Sequence, residues 1–177
     1  MKLAYERVET PIGTLDLVVG DPDVCLFEFA RGRRRVEQRI AACFSDAVLQ
    51  DAVNPCGYTD RIRAYFEGEL AALDEIPVDT GGTTFQGLVW SELRRIPVGR
   101  TRSYVEVARA IGRPTATRAV GAANGQNPVA VILPCHRVIG ADGTLTGYGG
   151  GLDRKRWLLR HEGVALAGSE SKRLAFS

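Results

Sequence analysis

Histidine is scarce in this chain of 177 residues, and long apolar runs are missing altogether. His136 and His161 are the only histidines, so a structural site built from cysteine and histidine ligands has little to draw on. We therefore expect no metal and no cofactor. The longest apolar stretches fall well short of the roughly 18 to 20 residues that span a bilayer, and the N-terminal residues lack the apolar core of a secretory signal. These features predict a soluble cytoplasmic protein without a membrane segment.

Cysteines are few and widely separated. The chain has Cys25, Cys43, Cys56 and Cys135, and no two of them have the short spacing of a zinc or redox motif. A chain of this length and apolar content can bury a core without disulfides. We interpret the four cysteines as reduced thiols in the cytosol.

The formal net charge of +2 conceals an uneven distribution. Residues 84–177 contain 14 Lys and Arg against 6 Asp and Glu, which gives +8, whereas residues 1–83 contain 9 against 15, which gives −6. A charge excess usually marks a solvated surface. A basic half joined to an acidic half nevertheless favours a polyanionic partner, and nucleic acid is the candidate.

The N-terminal part has the pattern of a small αβ domain. Residues 2–20 predict two strands joined near Thr10 to Gly13, and residues 24–30 predict a third strand of an antiparallel sheet. Apolar residues recur at helical spacing in residues 33–44 and 59–70, which indicates helices against that sheet. The basic run at residues 31–35 is interpreted as a loop leading into a solvated helix, without a function of its own.

The pattern changes at Gly81 and Gly82, which mark a linker. Beyond them the chain is mostly helical. Thr83 with Gln86 has the spacing of a capping box, so we expect a helix to begin there. The predicted organisation is an N-terminal αβ domain over residues 1–80, a linker over residues 81–84, a second domain over residues 85–165 and a tail over residues 166–177.

Two further helices in the second domain are separated by a short link. Ser103 with Glu106 repeats the capping-box spacing, and residues 112–115 lead into a segment rich in alanine and glycine. Two helices joined in this way resemble a helix-turn-helix. In the second helix Arg118 is the only long charged side chain, and small residues such as Ala119 and Ala123 allow close approach to a DNA groove or simply close helix packing. We expect a helix that approaches DNA but reads few bases.

The segment ILPCHRVIG places Cys135 between Pro134 and His136. A cysteine in an apolar run is usually an inert core residue. A free thiol has a pKa of about 8.5, so it needs a base or positive surroundings to become a nucleophile at neutral pH. Neighbours in an extended segment point to opposite faces, so direct contact between Cys135 and His136 is not guaranteed, and a bridging water could carry the proton. Glu162 could fix the imidazole tautomer in such a relay.

Several short motifs occur together in residues 85–163: SY at 103–104, RAVG at 118–121, NP at 127–128, PCHRV at 134–138 and GYGGG at 147–151. With them the C-terminal half resembles the 6-O-alkylguanine-DNA alkyltransferases, also called methylated-DNA–protein-cysteine methyltransferases. The N-terminal half gives weaker support, through YFEGEL and IPVDTGGTTFQ. The resemblance implies an α+β fold, with a small ribonuclease H-like antiparallel sheet and helices followed by a mostly helical, winged-helix-like domain that carries the helix-turn-helix.

The resemblance also implies an activity. Members of this family transfer an alkyl group irreversibly to their own cysteine, here Cys135, from the 6-oxygen of guanine and from the 4-oxygen of thymine. The implied partner is double-stranded DNA containing the alkylated base, bound by a monomer that needs no obligate protein partner and, in a bacterium, associates with the nucleoid. Because the reacting carbon lies inside a duplex, the nucleotide must be flipped out first.

The family's functional residues correspond to positions of this chain. Similarity implies that His136 acts as a base through a water, that Glu162 orients it and that Asn127 stabilises the turn and the relay. The implied DNA contacts are Arg118, which enters the base stack, Tyr104, which helps to rotate the phosphate and bonds the base, and the small residues Ala119 and Ala123. The implied pocket residues are Val138, Tyr148, Gly149, Gly150 and Lys155.

Some features depart from the family, and other functions stay open. No histidine precedes His136, so the N-terminal zinc site of some relatives is not expected here. Gly149 stands where certain relatives have serine, which leaves the alkyl-size preference open. A non-catalytic lesion binder would lack the acceptor cysteine, and a cysteine hydrolase would need a direct Cys135–His136 contact, an oxyanion hole and repeated turnover. A regulatory helix-turn-helix protein would need a dimerising element.

Overall fold

The computed structural model describes residues 1–166 and divides into two compact units. Unit 1 consists of Met1–Gly82 and Pro128–Ile132, and unit 2 of Thr83–Asn127 and the chain from Leu133 onward. Strands and helices are both well represented, so the expected α+β class is confirmed. The predicted tail lies outside the described residues except for residue 166. No helix within residues 1–166 is long and apolar enough to cross a membrane.

Unit 1 is built on a four-stranded sheet. Its elements are β1 (Lys2–Thr10), β2 (Gly13–Val19), β3 (Val24–Phe29), α1 (Arg33–Cys43), β4 (Val48–Asp51) and α2 (Tyr58–Phe66). The strands β1, β2 and β3 form the expected antiparallel meander, and the helix α1 follows them as predicted. The short fourth strand, β4, pairs in parallel with β1 and gives the order β3-β2-β1-β4.

The core of unit 1 forms where α1 covers the sheet. Val36 and Ile40, one turn apart on α1, are buried against apolar residues of β1, β2 and β3. Phe27 also draws the segment Pro128–Ile132 into this unit, because its N–H donates to the Pro128 carbonyl and its carbonyl accepts from the Ala130 N–H. That segment is far away in sequence, and no local pattern placed it here. The limits at residues 80 and 85 therefore stay a prediction.

Unit 2 is mostly helical, as expected. Its elements are α3 (Thr84–Arg94), β5 (Arg102–Ser103), α4 (Tyr104–Ala110), α5 (Thr117–Gly125), β6 (Val138–Ile139) and α6 (Leu152–His161). Both predicted capping boxes are present: the side chain of Thr83 accepts from the Gln86 N–H, and that of Ser103 accepts from the Glu106 N–H. The helices α3, α4 and α5 pack together. Their interpretation as a helix-turn-helix, and that of unit 1 as ribonuclease H-like, stay predictions.

Helix α5 has a buried face and an exposed face. Val120, Ala123 and Asn124 are buried at helical spacing, whereas Arg118 and Ala119 are exposed. Because Ala123 is only 2% exposed, the expectation that its side chain contacts DNA does not fit this geometry. The turn of 100° per residue places it inward, where its carbonyl accepts from the Trp90 Nε1–H.

The cysteine segment is not extended. Cys135–Arg137 form a single 3-10 turn, in which the Arg137 N–H donates to the Pro134 carbonyl at 3.0 Å. Pro134 has no N–H for a strand ladder, so the chain turns before it enters the short strand β6, which pairs in parallel with β5. The expectation of an extended segment around Cys135 was therefore wrong.

Candidate active site

Cys135 lies at the start of the 3-10 turn and is only 6% exposed. Burial raises the pKa of the thiol, while a hydrogen bond from the Asn127 side chain and the charge of Lys155 act in the opposite direction. Removal from water is the larger effect, so the thiol holds its proton at neutral pH. A nucleophilic role therefore requires a base close by.

His136 follows Cys135 in the sequence and is fully buried. Its two ring nitrogens have different surroundings. Nε2 lies 2.9 Å from Oε1 of Glu162, whereas Nδ1 has no hydrogen-bond partner among residues 1–166. A carboxylate can only accept, so Nε2 carries the hydrogen. Burial lowers the pKa of His136 despite the neighbouring carboxylate, and the neutral ring then leaves Nδ1 as a lone-pair acceptor.

Glu162 follows α6 and is shared by two side chains. Arg137 donates from Nε to Oε2 and from Nη2 to Oε1, both at 2.9 Å, in addition to the bond from His136. Burial alone would raise the pKa of Glu162, but His136 and Arg137 together hold it well below its usual range. Arg137 Nη1 also donates to the Ile96 carbonyl at 2.6 Å. The carboxylate of Glu162 is thus held in its ionised form, and its hydrogen bond to Nε2 orients the imidazole of His136.

Lys155, on α6, is a buried cation that joins two backbone segments. Its Nζ donates to the carbonyls of Val138 at 2.5 Å, Thr146 at 2.9 Å and Gly147 at 3.3 Å. Burial lowers the pKa of Lys155 to about 8, so the ammonium form still predominates at neutral pH. Only that form has three donors for three carbonyls. Lys155 therefore holds the loop at residues 146–147 against β6.

A cleft of about 390 Å³ is lined in part by Thr146 and Gly147, whose carbonyls accept from Lys155. The predicted residues Tyr104, Tyr148 and Gly149 line it, and the Tyr104 hydroxyl donates to the Thr146 carbonyl at 3.2 Å. Burial raises the pKa of Tyr148 well above its usual range, so its hydroxyl stays protonated. The remaining lining consists of Gly121, Asn124 and Gly125 on α5 and of Thr146 and Gly147 on the loop.

The other predicted pocket residues lie outside this lining. Val138 and Lys155 are fully buried and hold the wall of the cleft through the bond described above. Gly150 lies next to the lining residue Gly149, and its carbonyl accepts from Arg154 Nη1 at 3.2 Å. Four of the predicted pocket residues thus form two layers, with Tyr148 and Gly149 in the cleft wall and Val138 and Lys155 in the buried support behind it.

Two side chains of the site were missed by sequence reasoning. Asn124 donates from Nδ2 to the Cys135 carbonyl at 3.3 Å, and it parallels the predicted Asn127, whose Nδ2 donates to the Leu133 carbonyl at 2.8 Å. Arg137 belongs to the PCHRV motif, but the sequence analysis predicted no role for its side chain. A signal for Asn124 existed, because asparagine is a poor helix former and stands inside a helical segment here.

The exposed face of α5 carries the candidate DNA contacts. Arg118 is exposed and has no ion-pair or hydrogen-bond partner within the described part of the chain, and Ala119 is exposed beside it.

All four cysteines are free thiols. Residues 1–166 contain no cluster of three or more His, Cys, Asp and Glu side chains suited to a metal ion.

The fold and site define a class of α+β protein in which a buried cysteine adjoins a histidine–glutamate pair on a mostly helical unit. Residues 84–164 match the family described as "6-O-methylguanine DNA methyltransferase, DNA binding domain". The chain is 47% identical over 170 residues to the methylated-DNA–protein-cysteine methyltransferase of Salmonella typhimurium, which covers 94% of this chain and 99% of that protein.

Solved structures agree with this match. The crystal structure of Mycobacterium tuberculosis O6-methylguanine methyltransferase is similar with a TM-score of 0.76 at 41% identity, covering 93% of this chain and 96% of that one. The structure of the Mycobacterium tuberculosis OGT in complex with DNA has the same TM-score, identity and coverage. The chain therefore belongs to the family of methylated-DNA–protein-cysteine methyltransferases.

Proposed function

We propose that this protein repairs DNA by moving an alkyl group from the 6-oxygen of guanine, or from the 4-oxygen of thymine, onto Sγ of Cys135. Family membership supports the reaction class. One observation carries the assignment to these residues: the imidazole of His136 is held through Nε2 by Glu162, which leaves Nδ1 as an acceptor next in sequence to the buried thiol.

The reaction is a displacement at a saturated carbon. The Cys135 proton passes through a water to Nδ1 of His136, and the sulfur attacks the alkyl carbon. The S–C bond forms as the C–O bond breaks, and the bonding electron pair leaves with the guanine, which takes up a proton. Tyr104 assists that protonation from the cleft wall. No cofactor takes part, and the thioether is stable, so each molecule acts once.

Glu162 and Arg137 support this step without reacting. The carboxylate stabilises the positive charge that His136 gains when it takes the proton, and Arg137 keeps the carboxylate ionised and oriented. A properly placed general base contributes roughly 10²- to 10⁴-fold in rate. Asn127 fixes the turn that precedes Cys135 through the Leu133 carbonyl.

The target nucleotide has to leave the duplex to reach the cleft. Arg118 is an exposed cation on α5 that can occupy the space left in the base stack, and Ala119 allows the helix to approach the groove. Tyr148 and Gly149 form the wall that the flipped base contacts, and Gly150 follows them along the chain. Double-stranded DNA containing an alkylated guanine is therefore the proposed partner, bound by a monomer in the cytoplasm.

Two other functions predict different behaviour. A lesion binder without transfer chemistry has no use for a thiol backed by a histidine–glutamate pair. A cysteine hydrolase would turn over repeatedly, whereas a thioether ends the reaction after one event. The number of events per protein molecule separates these functions.

The test uses a duplex with one O6-methylguanine and a limiting amount of protein. We expect the amount of repaired duplex to equal the amount of active protein and to stop there. Cys135→Ser is expected to repair nothing, while Cys25→Ser, which alters a buried thiol of unit 1, retains repair. Repair beyond one equivalent, or repair by Cys135→Ser, would refute the proposal.

A further inference from the structure

Glu92 is a buried carboxylate that the proposed reaction does not use. It lies in the last turn of α3, and its side chain is only 7% exposed. Nη1 of Arg102 donates to Oε1 of Glu92, and Nη1 of Arg95 donates to Oε2 at 3.1 Å. A buried ion pair contributes little net stability compared with apolar residues of similar size. Stability alone therefore does not explain why a charge is buried here.

The two arginines that contact Glu92 hold different positions. Arg95 lies three residues further along the chain and its side chain is 76% exposed, so this pair contributes little. Arg102 is the first residue of β5, and its side chain is only 36% exposed. The bond between Glu92 and Arg102 thus joins α3 to β5 and closes the connection between them, residues 95–101.

This connection lies beside the residues that support His136. The Ile96 carbonyl accepts from Nη1 of Arg137 at 2.6 Å. Gly99 has a φ of 77°, and a Cβ at this position would lie 3.2 Å from the carbonyl oxygen of Glu162. The segment that Glu92 closes is therefore packed closely against both Arg137 and Glu162.

Arg102 also leads directly to the cleft. It pairs with Val138 in the parallel strands β5 and β6, and β6 follows the turn that carries Cys135. Ser103 then caps α4, whose first residue, Tyr104, lines the cleft. Because only one residue separates Arg102 from Tyr104, a shift of β5 displaces the tyrosine as well.

Building on the proposed function, we propose that Glu92 is a positioning residue for alkyl transfer, which acts through Arg102 to hold Tyr104 in place at the cleft. The Tyr104 hydroxyl is the group that assists protonation of the leaving base. A displacement of about 1 Å at a reacting group can lower a rate by up to about 100-fold. Glu92 contributes to the rate in this way without contacting the base or the thiol.

The test removes both charges of the pair at once. Glu92→Leu combined with Arg102→Met leaves neither charge without its partner, so we expect a urea midpoint close to that of wild type. Single-turnover transfer from a saturating duplex with one O6-methylguanine is nevertheless expected to slow about tenfold. The double variant thus separates an effect on position from an effect on stability.

A second background shows whether the slowing passes through Tyr104. In Tyr104→Phe the hydroxyl is already absent, so the same double change is expected to slow transfer by less than about twofold further. Changes at residues that act through one group are not additive, whereas independent changes are. A general loss of structure would slow transfer by the same factor in both backgrounds.

Arg39→Met combined with Glu28→Leu is the matched control. It removes an ion pair of unit 1 whose side chains are 34% and 15% exposed, and it is expected to keep the wild-type rate. A wild-type rate after loss of the Glu92–Arg102 pair, equal slowing in both backgrounds, or a urea midpoint far below that of wild type overturns the positioning role. If wild type itself transfers no methyl group, the proposed function fails instead.

Discussion

At the scale of single residues, Glu162 is the group on which the others depend. Its two oxygens accept from His136 and from both nitrogens of the Arg137 fork, and all three side chains are buried. A buried ion pair adds little net stability, but removing one partner leaves the other charge uncompensated. The arrangement is therefore sensitive to any change at residue 162.

Replacing Glu162 by glutamine tests this sensitivity. Glu162→Gln keeps the shape but leaves the Arg137 guanidinium without a counter-charge, so we expect a loss of about 3 kcal/mol in the free energy of unfolding. Urea denaturation at pH 7 measures it. Glu75→Gln, a change at an exposed glutamate, is expected to have almost no effect. Equal stabilities of Glu162→Gln and wild type would contradict this account of the site.

The free energies of unfolding of wild type and Glu162→Gln should differ less in acid than at neutral pH. His136 and Arg137 hold the pKa of folded Glu162 below its usual value of 4.5. As the pH falls below about 4.5, the unfolded chain takes up the proton first, and the stability contributed by the carboxylate is lost. The gap between wild type and Glu162→Gln is thus expected to be constant near neutral pH and to shrink below about pH 4.5. A gap that widens in acid would contradict a lowered pKa of Glu162 in the folded protein.

The roles of some site residues could be predicted from the sequence, and the roles of others could not. Cys135, His136 and Glu162 were predicted together, and the structure brings the last two within hydrogen-bond distance. Arg137 and Asn124 were not assigned roles, because their roles depend on partners that only the folded chain brings close. Ala123, expected among the DNA contacts, lies on the buried face of α5, because small residues serve helix packing as well as approach to a groove.

At the scale of elements, helix starts were the most predictable feature. A capping box needs only two residues three apart, so local sequence specifies it, and both predicted boxes are present. The strand β4 was not predicted, because it has four residues, three of them exposed, and depends on long-range parallel pairing with β1. The 3-10 turn at Cys135 was likewise hidden within an apolar run.

The two caps should contribute equally to stability and unequally to activity. Thr83→Ala and Ser103→Ala each remove a side-chain acceptor for a helix N–H and are expected to cost about 1 kcal/mol in urea denaturation. Only Ser103→Ala should slow alkyl transfer, because α4 begins with Tyr104, which lines the cleft. Equal slowing by both variants would show that lost stability, and not the position of Tyr104, limits the rate.

Helix α5 supplies a second test at this scale. Arg118→Ala should leave stability within about 0.5 kcal/mol of wild type, because the side chain is exposed and unpaired within residues 1–166. Transfer from duplex DNA is expected to slow at least tenfold, since the variant lacks the side chain that we propose fills the vacated base position. Arg34→Ala removes the same charge from an exposed position on α1 and should not slow it. Identical rates for the two variants would exclude a specific role of Arg118.

At the scale of the whole molecule, charge is divided between the halves. The excess of +8 over residues 84–177 coincides with the half that contains the cleft and α5, and the −6 lies in the other half. A polyanion is attracted mainly to the basic half, and contacts with phosphates carry little sequence information. We therefore expect binding with weak sequence preference.

Salt should weaken binding without changing the chemistry. Each phosphate contact releases counterions, so the logarithm of the binding constant falls linearly as the logarithm of the salt concentration rises. Fluorescence anisotropy with a labelled duplex measures the slope, and the transferred methyl per protein at saturation should remain one. A binding constant independent of salt would argue against the phosphate-dominated interface.

Cys135 is the residue on which we expect the alkyl group to remain. The most direct measurement is the peptide mass of the protein after reaction with a duplex carrying one O6-methylguanine. We predict a single methyl increment on the peptide that contains Cys135, with none on the peptides that contain Cys25, Cys43 or Cys56. A methyl group on another residue, or a repaired duplex with an unmodified Cys135, would contradict the account.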